Sequence, residues 1–565
     1  MKRFWVSLAV FVSVFLSLSL FFSTIWLPRD MQVKNFGQIL FHLQFPVGGA
    51  SLEFVLVFIK LNLLPSFLIA LLVAFYKEII PFVFKISVVV FKNILKITFK
   101  ILKRIVLLAF VFFKNSFVFI QQHGHAFRLL LAVVVLFLSV NITINKLRIK
   151  DYFKEQQNVS KFYETYYSYF DLDNFLKNNH LNQNNENNKN NENNENNKNH
   201  SFEKRNLIVI FAESWPSAMS RFSMPFQNEV EINENLKVYS PWGDLAPQVE
   251  GLASQHINFS PTSVVGGLTQ LEGTGWTIAG IVSYLCGVPI NQPVNATTKK
   301  YFLNKAECVP DILKKLGYKQ IYISGQEQTL GGRAFFEAHH IPVHDVFYYQ
   351  AQKLVPKPIP PDILSSGLWG VLDRETFRLA KKEVQNAIDS NESFAFYIST
   401  IDTHGEDFLY GAHSCPGYPN NPFGRYKCVD SLMGDFVDFI LKSPVGKNTS
   451  IVILGDHLPR GHDFFPPETQ FGVFNAFINT PFDVSGNHAA TKNRNISHFD
   501  VSPLLLESVG ISVNALGLGR NPLKEKTLLE SFGKAKLNKE LLRGNKMYDS
   551  FWQATTENTQ TEFPH

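Results

Sequence analysis

Residues 4–27 carry no charged side chain, and as a helix rising about 1.5 Å per residue they are long enough to cross a hydrocarbon layer of about 30 Å. A cleavable signal peptide is the competing interpretation, but its apolar core is usually about 7–15 residues long and is followed by small residues. Trp26 and Pro28 occupy that place instead. The run therefore predicts an uncleaved membrane anchor, and Lys2 and Arg3 before it orient the N-terminus toward the cytoplasm.

The charge of the chain divides near residue 150. The net charge of +6 combines 17 Lys and Arg against three acidic residues before that point with 37 against 45 after it. In the first part, the basic residues are interleaved with long runs of Phe, Val, Leu and Ile, which is typical of membrane segments and not of a nucleic-acid surface. We therefore interpret residues 1–150 as a transmembrane anchor and exclude nucleic acid as a partner.

Two further spans are predicted at about 63–84 and 128–146. Between them, basic residues at 85–104 recur mostly every three, four or seven positions and so share one face of a helix. Such a helix lies on the anionic cytoplasmic leaflet or flanks a fourth span at 105–121. Three spans place everything after residue 150 outside a bacterial inner membrane, and four place it inside. The basic segment favours three, and so a periplasmic domain.

The cysteines are a second indication of compartment. All four lie after the membrane part and form two close pairs along the chain: Cys286, Cys308, Cys415 and Cys428. An even, paired set is typical of a domain exported to an oxidising compartment such as the bacterial periplasm. Four unrelated buried thiols are the alternative.

Residues 151–204 are predicted to be a juxtamembrane segment and linker. Asn occupies 14 of the 23 positions from 178 to 200, and only one residue there is apolar. Such a composition cannot offset the entropy of ordering and predicts a disordered tether. The tether could let a catalytic domain move over the membrane, or it could be a tolerated insertion without a role.

After residue 204, short β-rich apolar runs alternate with helical stretches, which predicts an α/β fold with a mainly parallel sheet. Four of these runs end in polar residues. The ligand crevice of an open α/β sheet lies outside the carboxyl ends of its strands, so these ends are expected to meet. The candidates they contribute to one site are Glu213, His404, Asp456 and His457.

The chemistry of these side chains suits a divalent metal ion. Carboxylates and an imidazole are ligands for Mn²⁺, Mg²⁺ or Zn²⁺, and three protein ligands leave a position for a nucleophile or a substrate. Each signal is weak alone, since Glu213 could be a helix N-cap or an ion-pair partner, and Asp456 with His457 could form a turn. Their joint position at strand ends favours the metal site.

The candidate nucleophile is Thr277, which follows a Gly-rich approach and opens an apolar helical stretch. Its hydroxyl would lie at the positive end of the helix, and contact with a dication would lower its pKa further. It could then attack phosphorus. The alternative is that Thr277 only caps the helix, as Thr often does.

Five segments carry a resemblance, and they are in order Ala212-Glu213-Ser214, Trp276-Thr277-Ile278-Ala279-Gly280, Thr400-Ile401-Asp402-Thr403-His404, Gly455-Asp456-His457-Leu458 and Gly517-Leu518-Gly519-Arg520. They resemble the phosphoglycerol transferase I family, which belongs to the alkaline phosphatase and sulfatase superfamily and is related to the lipoteichoic acid synthases. The resemblance implies N-terminal transmembrane helices followed by a sulfatase-like catalytic domain at 205–525, and leaves 526–565 as a C-terminal tail without an assigned function.

The resemblance also implies a role for each matching residue. Those assigned to the metal are Glu213, Thr277, Asp456 and His457, with Thr277 as the nucleophile. His404 matches a substrate-contacting histidine, and Arg333, in a loosely matching motif, corresponds to a residue that grips the phosphoglycerol head group. The cysteines fall where family members have two bridges, Cys286–Cys308 and Cys415–Cys428.

In the implied reaction, Thr277 attacks the phosphorus of phosphatidylglycerol and expels diacylglycerol, so that phosphoglycerol stays on the enzyme. An acceptor hydroxyl then displaces the threonine, and the metal stabilises charge on the phosphoryl oxygens in both steps. A lipid donor explains the membrane anchor. The acceptor, an osmoregulated periplasmic glucan or a similar glycan, is implied by the resemblance alone.

Four other functions are alternatives to this one. A sulfatase needs a Cys or Ser to form its formylglycine, whereas Thr277 occupies that position, so hydrolysis of sulfate esters is excluded. Relatives that transfer phosphoethanolamine to lipid A or polymerise glycerol phosphate share the same four metal and nucleophile residues and stay as alternatives. The non-enzymatic alternative is a membrane-anchored binding protein with an inactive sulfatase-like fold, and the presence of all four residues argues against it.

Overall fold

The structure, a computed structural model, describes residues 2–30, 36–42, 58–75, 124–178, 204–217, 245–262, 267–291, 301–326, 332–365, 370–404, 415–418, 422–459, 472–482, 484 and 490–553. The basic segment predicted to lie on the membrane, the possible span at 105–121 and nearly all of the Asn-rich linker lie outside these residues. Contacts divide the chain into two compact units, Met1–Phe36 with Leu52–Asp151 and Gly37–Ser51 with Tyr152–His565.

The first unit is helical. The described helices before residue 204, of which those after Asp151 belong to the second unit, are Lys2–Asp30, Phe36–His42, Leu64–Ala74 (preceded by a π-helical turn, Ile59–Leu63), Gly124–Lys146, Ile149–Gln157, Phe162–Tyr166 and Leu172–Asn178. Within this unit, the buried side-chain amide of Asn62 is hydrogen-bonded to Ser23 (2.7 Å), and Phe67 packs edge-on against Phe11. A polar contact therefore joins Lys2–Asp30 to the π-helical turn, and an aromatic contact joins it to Leu64–Ala74.

One described helix is long and apolar enough to cross a membrane by itself, over Trp5–Leu27, with a mean hydropathy of 2.3. The helix Leu130–Lys146 passes the same test only together with Ile149–Gln157, from which it is bent by 51°. Ile59–Ala74 is apolar but shorter, and the rest of the predicted span at 63–84 lies outside the described residues. The anchor at 4–27 thus has a matching helix, whereas a count of three spans stays a prediction.

The second unit is built on a seven-stranded sheet in the order β2-β7-β6-β1-β5-β3-β4. Its strands are β1 (Asn206–Ala212), β2 (Gly267–Leu268), β3 (Lys319–Ser324), β4 (Val343–His344), β5 (Phe394–Ser399), β6 (Thr449–Gly455) and β7 (Val473–Ile478). Five strands from β4 to β6 run parallel, and β7 and β2 complete the other edge in antiparallel pairing. The predicted α/β domain with a mainly parallel sheet is confirmed.

Helices cover both faces of this sheet. The central strands β1 and β5 are apolar at nearly every position, so both of their faces have to be buried. The helices of this part are Pro247–Gln255, Thr277–Cys286, Val309–Lys315, Gly332–Ala338, Val346–Ala351, Asp373–Asp389, Pro422–Lys442, Val501–Ser508, Leu528–Phe532, Lys534–Leu541 and Lys546–Ser550. One core lies under Thr277–Cys286 and Val501–Ser508, and the second lies under Asp373–Asp389 and Pro422–Lys442.

The C-terminal residues expected to be a tail are part of the domain as far as residue 553. Tyr548, Phe551 and Trp552 are buried in the first core, where Tyr163 packs against Tyr548. A short hairpin of β8 (Ala515–Leu516) and β9 (Gly519–Arg520) is bridged to Ser168. Residues 162–176 and the last described residues of the chain thus pack together in the second unit.

Candidate active site

The site begins where three neighbouring parallel strands end. In the pairing register, Ala212 at the end of β1 lies beside Gly455 at the end of β6, and Phe211 lies beside Ser399 at the end of β5. The residues after these positions, Glu213 and Asp456, are therefore placed next to each other by the sheet itself. The sequence prediction that these strand ends meet at one place is confirmed for β1, β5 and β6.

Two carboxylates and one imidazole form a buried cluster at this edge. Nε2 of His457 lies 3.4 Å from Oε1 of Glu213 and 3.7 Å from Oδ2 of Asp456, and all three side chains are at most 1% exposed. One ligand atom from each residue lies within 4.8 Å of the other two. The predicted metal ligands are thus brought together on the scale of a single ion.

The donors and acceptors of this cluster fit a cation. Nδ1 of His457 is 2.7 Å from the carbonyl oxygen of Leu458, which only accepts, so Nδ1 carries a proton. In the neutral imidazole, Nε2 then presents a lone pair toward two carboxylate oxygens. Oδ2 of Asp456 is buried and has no hydrogen-bond partner among the described residues. Three acceptors facing one another need a positive charge, and this mixture of oxygen and nitrogen donors suits Mn²⁺, Mg²⁺ or Zn²⁺.

The pKa values of the two acids separate in this environment. Burial, together with the neighbouring Glu213 carboxylate, raises the pKa of Asp456 to about 8. Burial would also raise the pKa of Glu213, but when no ion is bound, positive charge on His457 and His404 and the hydrogen bond from Ser214 together outweigh burial and hold that pKa below its usual range. Two carboxylates so close together cannot both be charged cheaply without a cation between them.

Thr277 is the first residue of the helix Thr277–Cys286, and it approaches the cluster from that helix. Its Oγ1 donates a hydrogen bond to Oε2 of Glu213 (3.2 Å). The N-cap position belongs to Trp276, and no side chain caps this helix. The alternative that Thr277 is only a cap is therefore wrong. Thr277 is partly exposed, whereas the three cluster residues are buried, so it is the member of the predicted set that a substrate can reach.

Ser214, which the motif contained but to which no role was assigned, joins the two acids. Its hydroxyl donates to Oε1 of Glu213 (2.6 Å), and its backbone N–H donates to Oδ1 of Asp456 (2.7 Å). Its carbonyl accepts from the buried hydroxyl of Tyr426 (2.8 Å). Outer contacts of this kind orient metal ligands. No pattern in the sequence distinguishes Ser214 from any other serine after a strand.

Further contacts hold the Asp456 segment against the rest of the domain. Nε2 of the buried His498 is 3.1 Å from the carbonyl oxygen of Asp456, and the hydroxyl of Tyr284 donates to the carbonyl of Gly455 (2.6 Å). The imidazole and the phenol ring stack with centroids 4.6 Å apart. These two side chains were not predicted, because their partners are backbone atoms distant in sequence.

The two residues predicted to contact substrate lie in different surroundings. His404 is half-buried on the loop after β5, and its positive form is close enough to Glu213 to contribute to the lowering of that residue's pKa. Arg333 forms ion pairs with Glu337 (2.8 Å) and with the buried Asp345. The contacts of Arg333 among the described residues are thus with these carboxylates and not with the cluster, so its substrate role stays a prediction.

Both expected disulfides are present, Cys286–Cys308 and Cys415–Cys428. The first ties the C-terminal end of the Thr277 helix to Cys308, which precedes the helix Val309–Lys315. It therefore restrains the element that carries Thr277. Beside it, Nδ1 of His339 is 2.9 Å from Asp311, and His339 lies close to the sulfur of Cys308.

The strand-end cluster, the threonine at a helix N-terminus and the mainly parallel sheet define an enzyme-like α/β domain, and comparison with known families identifies its class. The sulfatase family profile matches residues 205–511. This match covers more than half of the chain, and the chain therefore belongs to the sulfatase family.

Curated relatives narrow the resemblance further. The chain is 30% identical over 290 residues to phosphoglycerol transferase I of Xanthomonas axonopodis pv. citri, a match that covers 49% of this chain and 39% of the relative. It is 27% identical over 339 residues to phosphoglycerol transferase I of Escherichia coli O6:K15:H31, covering 58% of this chain and 40% of the relative. The resemblance to this family is confirmed, and the match spans about two fifths of the relatives' length.

Solved structures with similar folds include a protein of the alkaline phosphatase superfamily from Vibrio parahaemolyticus, at 20% identity and a TM-score of 0.39, covering 57% of this chain and 69% of that one. They also include the lipoteichoic acid synthase LtaP from Listeria monocytogenes, at 14% identity and a TM-score of 0.40, covering 56% of this chain and 75% of that one.

Proposed function

We propose that this protein is a membrane-anchored phosphotransferase that moves phosphoglycerol from phosphatidylglycerol to a glycan acceptor through a phosphoglycerol-threonine intermediate. One observation carries the proposal. A partly exposed threonine hydroxyl at a helix N-terminus is hydrogen-bonded to a buried cluster of two carboxylates and an imidazole. The curated relatives are named phosphoglycerol transferase I, which supports phosphoglycerol as the transferred group. The chemistry of the cluster supports phosphoryl transfer as the reaction type.

In the first step, Oγ1 of Thr277 loses its proton and forms a bond to the phosphorus of the donor. The bond from phosphorus to the diacylglycerol oxygen breaks, and this oxygen takes up one proton as diacylglycerol leaves. Glu213 accepts the hydroxyl hydrogen bond through Oε2 and thereby fixes the orientation of the attacking oxygen. The N–H groups of the first helical turn have no partners within the helix, so they can stabilise negative charge on the phosphoryl oxygens. In the second step, an acceptor hydroxyl loses its proton and bonds to phosphorus, the bond from phosphorus to Oγ1 breaks, and Thr277 regains a proton on Oγ1.

The residues that would hold a divalent ion are Glu213, Asp456 and His457, with Thr277 adjacent to Glu213. The ion would supply a positive charge to the phosphoryl oxygens and to the threonine oxygen. His404, half-buried at the same edge, would donate to the phosphate or to the glycerol hydroxyls. Arg333, whose guanidinium pairs with Glu337 and Asp345, would contact the head group through its remaining N–H groups.

The proposed setting is the outer face of a bacterial inner membrane, with residues 1–150 as a multi-pass anchor. The helix over Trp5–Leu27 supports an anchor, and two disulfides support an oxidising compartment such as the periplasm. The donor lipid would then be present in the membrane that holds the enzyme, and a periplasmic glucan would be available as the acceptor.

The test is turnover of labelled phosphatidylglycerol by the full chain reconstituted with Mn²⁺. We expect release of diacylglycerol by the wild type and a loss of about a thousandfold or more in Thr277→Ala. Thr274→Ala is the matched control, because its buried hydroxyl donates to the carbonyl of Leu271 and not to the cluster.

Two results would contradict the proposal. Equal diacylglycerol release by the wild type and by Thr277→Ala would show that the reaction does not pass through a phosphoglycerol-threonine intermediate. Consumption of phosphatidylethanolamine in place of phosphatidylglycerol assigns the protein to the phosphoethanolamine transferases instead.

A further inference from the structure

Asp373 is a buried acid outside the set of predicted site residues. It is the first residue of the helix Asp373–Asp389, and its side chain is 0% exposed. Among the described residues, no Lys, Arg or His forms an ion pair with it. Burial of a carboxylate without a cation is costly unless hydrogen bonds to the carboxylate offset the loss of water.

Two backbone groups of one loop provide those hydrogen bonds. Oδ1 of Asp373 accepts from the N–H of Ile401 (2.9 Å), and Oδ2 accepts from the N–H of Asp402 (2.9 Å). These residues belong to the loop after β5, which is described as far as His404 and is called the loop 400–404. Both oxygens of the acid are therefore used to hold this loop in place.

The same loop holds the backbone of Glu213 on both sides. The hydroxyl of Thr400 accepts from the N–H of Glu213 (2.9 Å), and the hydroxyl of Thr403 donates to its carbonyl (2.6 Å). Asp373 thus acts on Glu213 through two successive sets of short hydrogen bonds. The side chains that take part, listed in order along this series, are each at most 2% exposed: Asp373, Thr400, Thr403 and Glu213.

We infer that Asp373 is a positioning residue of the active site, which sets the place of Glu213 in the metal cluster and of His404 beside it through the loop 400–404. The inference rests on the proposed metal-dependent function. The inference gives the helix Asp373–Asp389, which precedes β5, a part in metal binding. Neither the five family segments nor the cluster of metal ligands includes this helix.

The chain contains a matched control for this acid. Asp430 is 1% exposed, and its two carboxylate oxygens accept from the N–H groups of Gln248 (3.0 Å) and Val249 (2.8 Å). It therefore makes the same pair of contacts, but it holds the helix Pro247–Gln255 and not the loop of the site. Asp→Asn at either position keeps the size of the side chain and replaces one accepting oxygen by an NH₂ group, which cannot accept.

The experiment measures Mn²⁺ binding by calorimetry, and chemical unfolding without metal, on the full chain in detergent. We expect Asp373→Asn and Asp430→Asn to lower stability to a similar degree. Only Asp373→Asn should weaken Mn²⁺ binding, by about 10–100-fold, as loss of outer partners of metal ligands commonly does. If Asp373→Asn does not fold, Thr403→Val removes the next hydrogen bond of the series, and the same weakening is expected.

The outcomes separate this inference from the proposed function. Wild-type affinity for Mn²⁺ in folded Asp373→Asn, or in folded Thr403→Val, overturns the inference whatever the activity. Weakened binding in these variants, with a wild type that binds Mn²⁺ but transfers no phosphoglycerol, supports the inference and refutes the proposed function. A wild type that binds none of Mn²⁺, Mg²⁺ and Zn²⁺ overturns both.

Discussion

Ser214 combines backbone strain with a contact to each acid of the cluster. Its φ of 51° lies in the left-handed region, which non-glycine residues occupy at a cost of about 1–3 kcal/mol. That conformation directs its N–H toward Asp456 while its hydroxyl reaches Glu213. A glycine would avoid the strain but would lack the hydroxyl. The strained serine is therefore consistent with a role in orienting the two carboxylates.

At the residue scale we predict that Ser214→Ala weakens Mn²⁺ binding about tenfold, because the Glu213 carboxylate loses one of its two hydroxyl donors. Ser214→Gly should weaken binding to a similar degree while relieving the strain. Ser283→Ala is the control, since the buried hydroxyl of Ser283, in the Thr277 helix, donates to the carbonyl of Val288 just after that helix (3.0 Å). Calorimetry measures all three, and unchanged binding in Ser214→Ala would contradict the orienting role.

At the scale of elements, the site depends on close contact between the Thr277 helix and the end of β6. A Cβ added at Gly280 would lie 2.0 Å from the carbonyl oxygen of Asp456, so the helix can approach this closely only without a side chain there. The position also lies one turn after Thr277. The distance between nucleophile and metal ligands is thus set by packing of backbone on backbone.

Gly280→Ala is expected to push the Thr277 helix away from Asp456, to lower stability by about 1–3 kcal/mol and to reduce turnover. Gly251→Ala is the opposite case, since no atom lies within 4 Å of its added Cβ in the helix Pro247–Gln255. That change should raise stability by about 0.5–1 kcal/mol and leave turnover intact. Urea unfolding measures the stability of the two variants, and diacylglycerol release measures their turnover. A Gly280→Ala enzyme that is as active and as stable as the wild type would refute the close contact.

At the scale of the whole molecule, the buried His498 couples stability to pH. Burial lowers its pKa from an ordinary 6.5 to about 3. Between these values the unfolded chain binds a proton that the folded chain does not. The contribution of His498 to stability is therefore complete above pH 6.5 and is lost progressively as the pH falls toward 3.

We expect the free energy of unfolding of the wild type to fall more steeply between pH 6 and pH 4 than that of His498→Asn. The difference in slope should approach about 1.4 kcal/mol per pH unit, the value for one proton. Urea titrations of the solubilised chain at several pH values measure both slopes. Parallel slopes would show that His498 binds its proton in the folded state as well.

The proposed orientation in the membrane has its own test. Cys415 is half-buried, whereas the other three cysteines are at most 1% exposed. After mild reduction of intact cells, a membrane-impermeant thiol reagent should therefore label the protein mainly at Cys415, and Cys415→Ser should abolish most of the label. Labelling that needs disrupted membranes would place the domain in the cytoplasm.

The sequence by itself predicted the apolar helix at 4–27, the parallel α/β domain, and the cluster of Glu213, Asp456 and His457 with Thr277. These are local properties, since an apolar run, a strand and the residue after its end are readable within about ten positions, and parallel strands bring their carboxyl ends to one edge. The pairing of the cysteines was implied by the resemblance to the family, and both bridges are present.

Only the tertiary structure decided which other residues serve that cluster. Ser214 meets Asp456 across 242 positions, and Asp373 meets the loop of His404 across 28 and 29. Many serines and aspartates could make such hydrogen bonds, so the partner is selected by the order of the strands and by burial, which have no local sequence signal. The same reason explains why the residues after 526 read as a tail: their aromatic side chains acquire a structural role only when the segment at 162–176 packs against them.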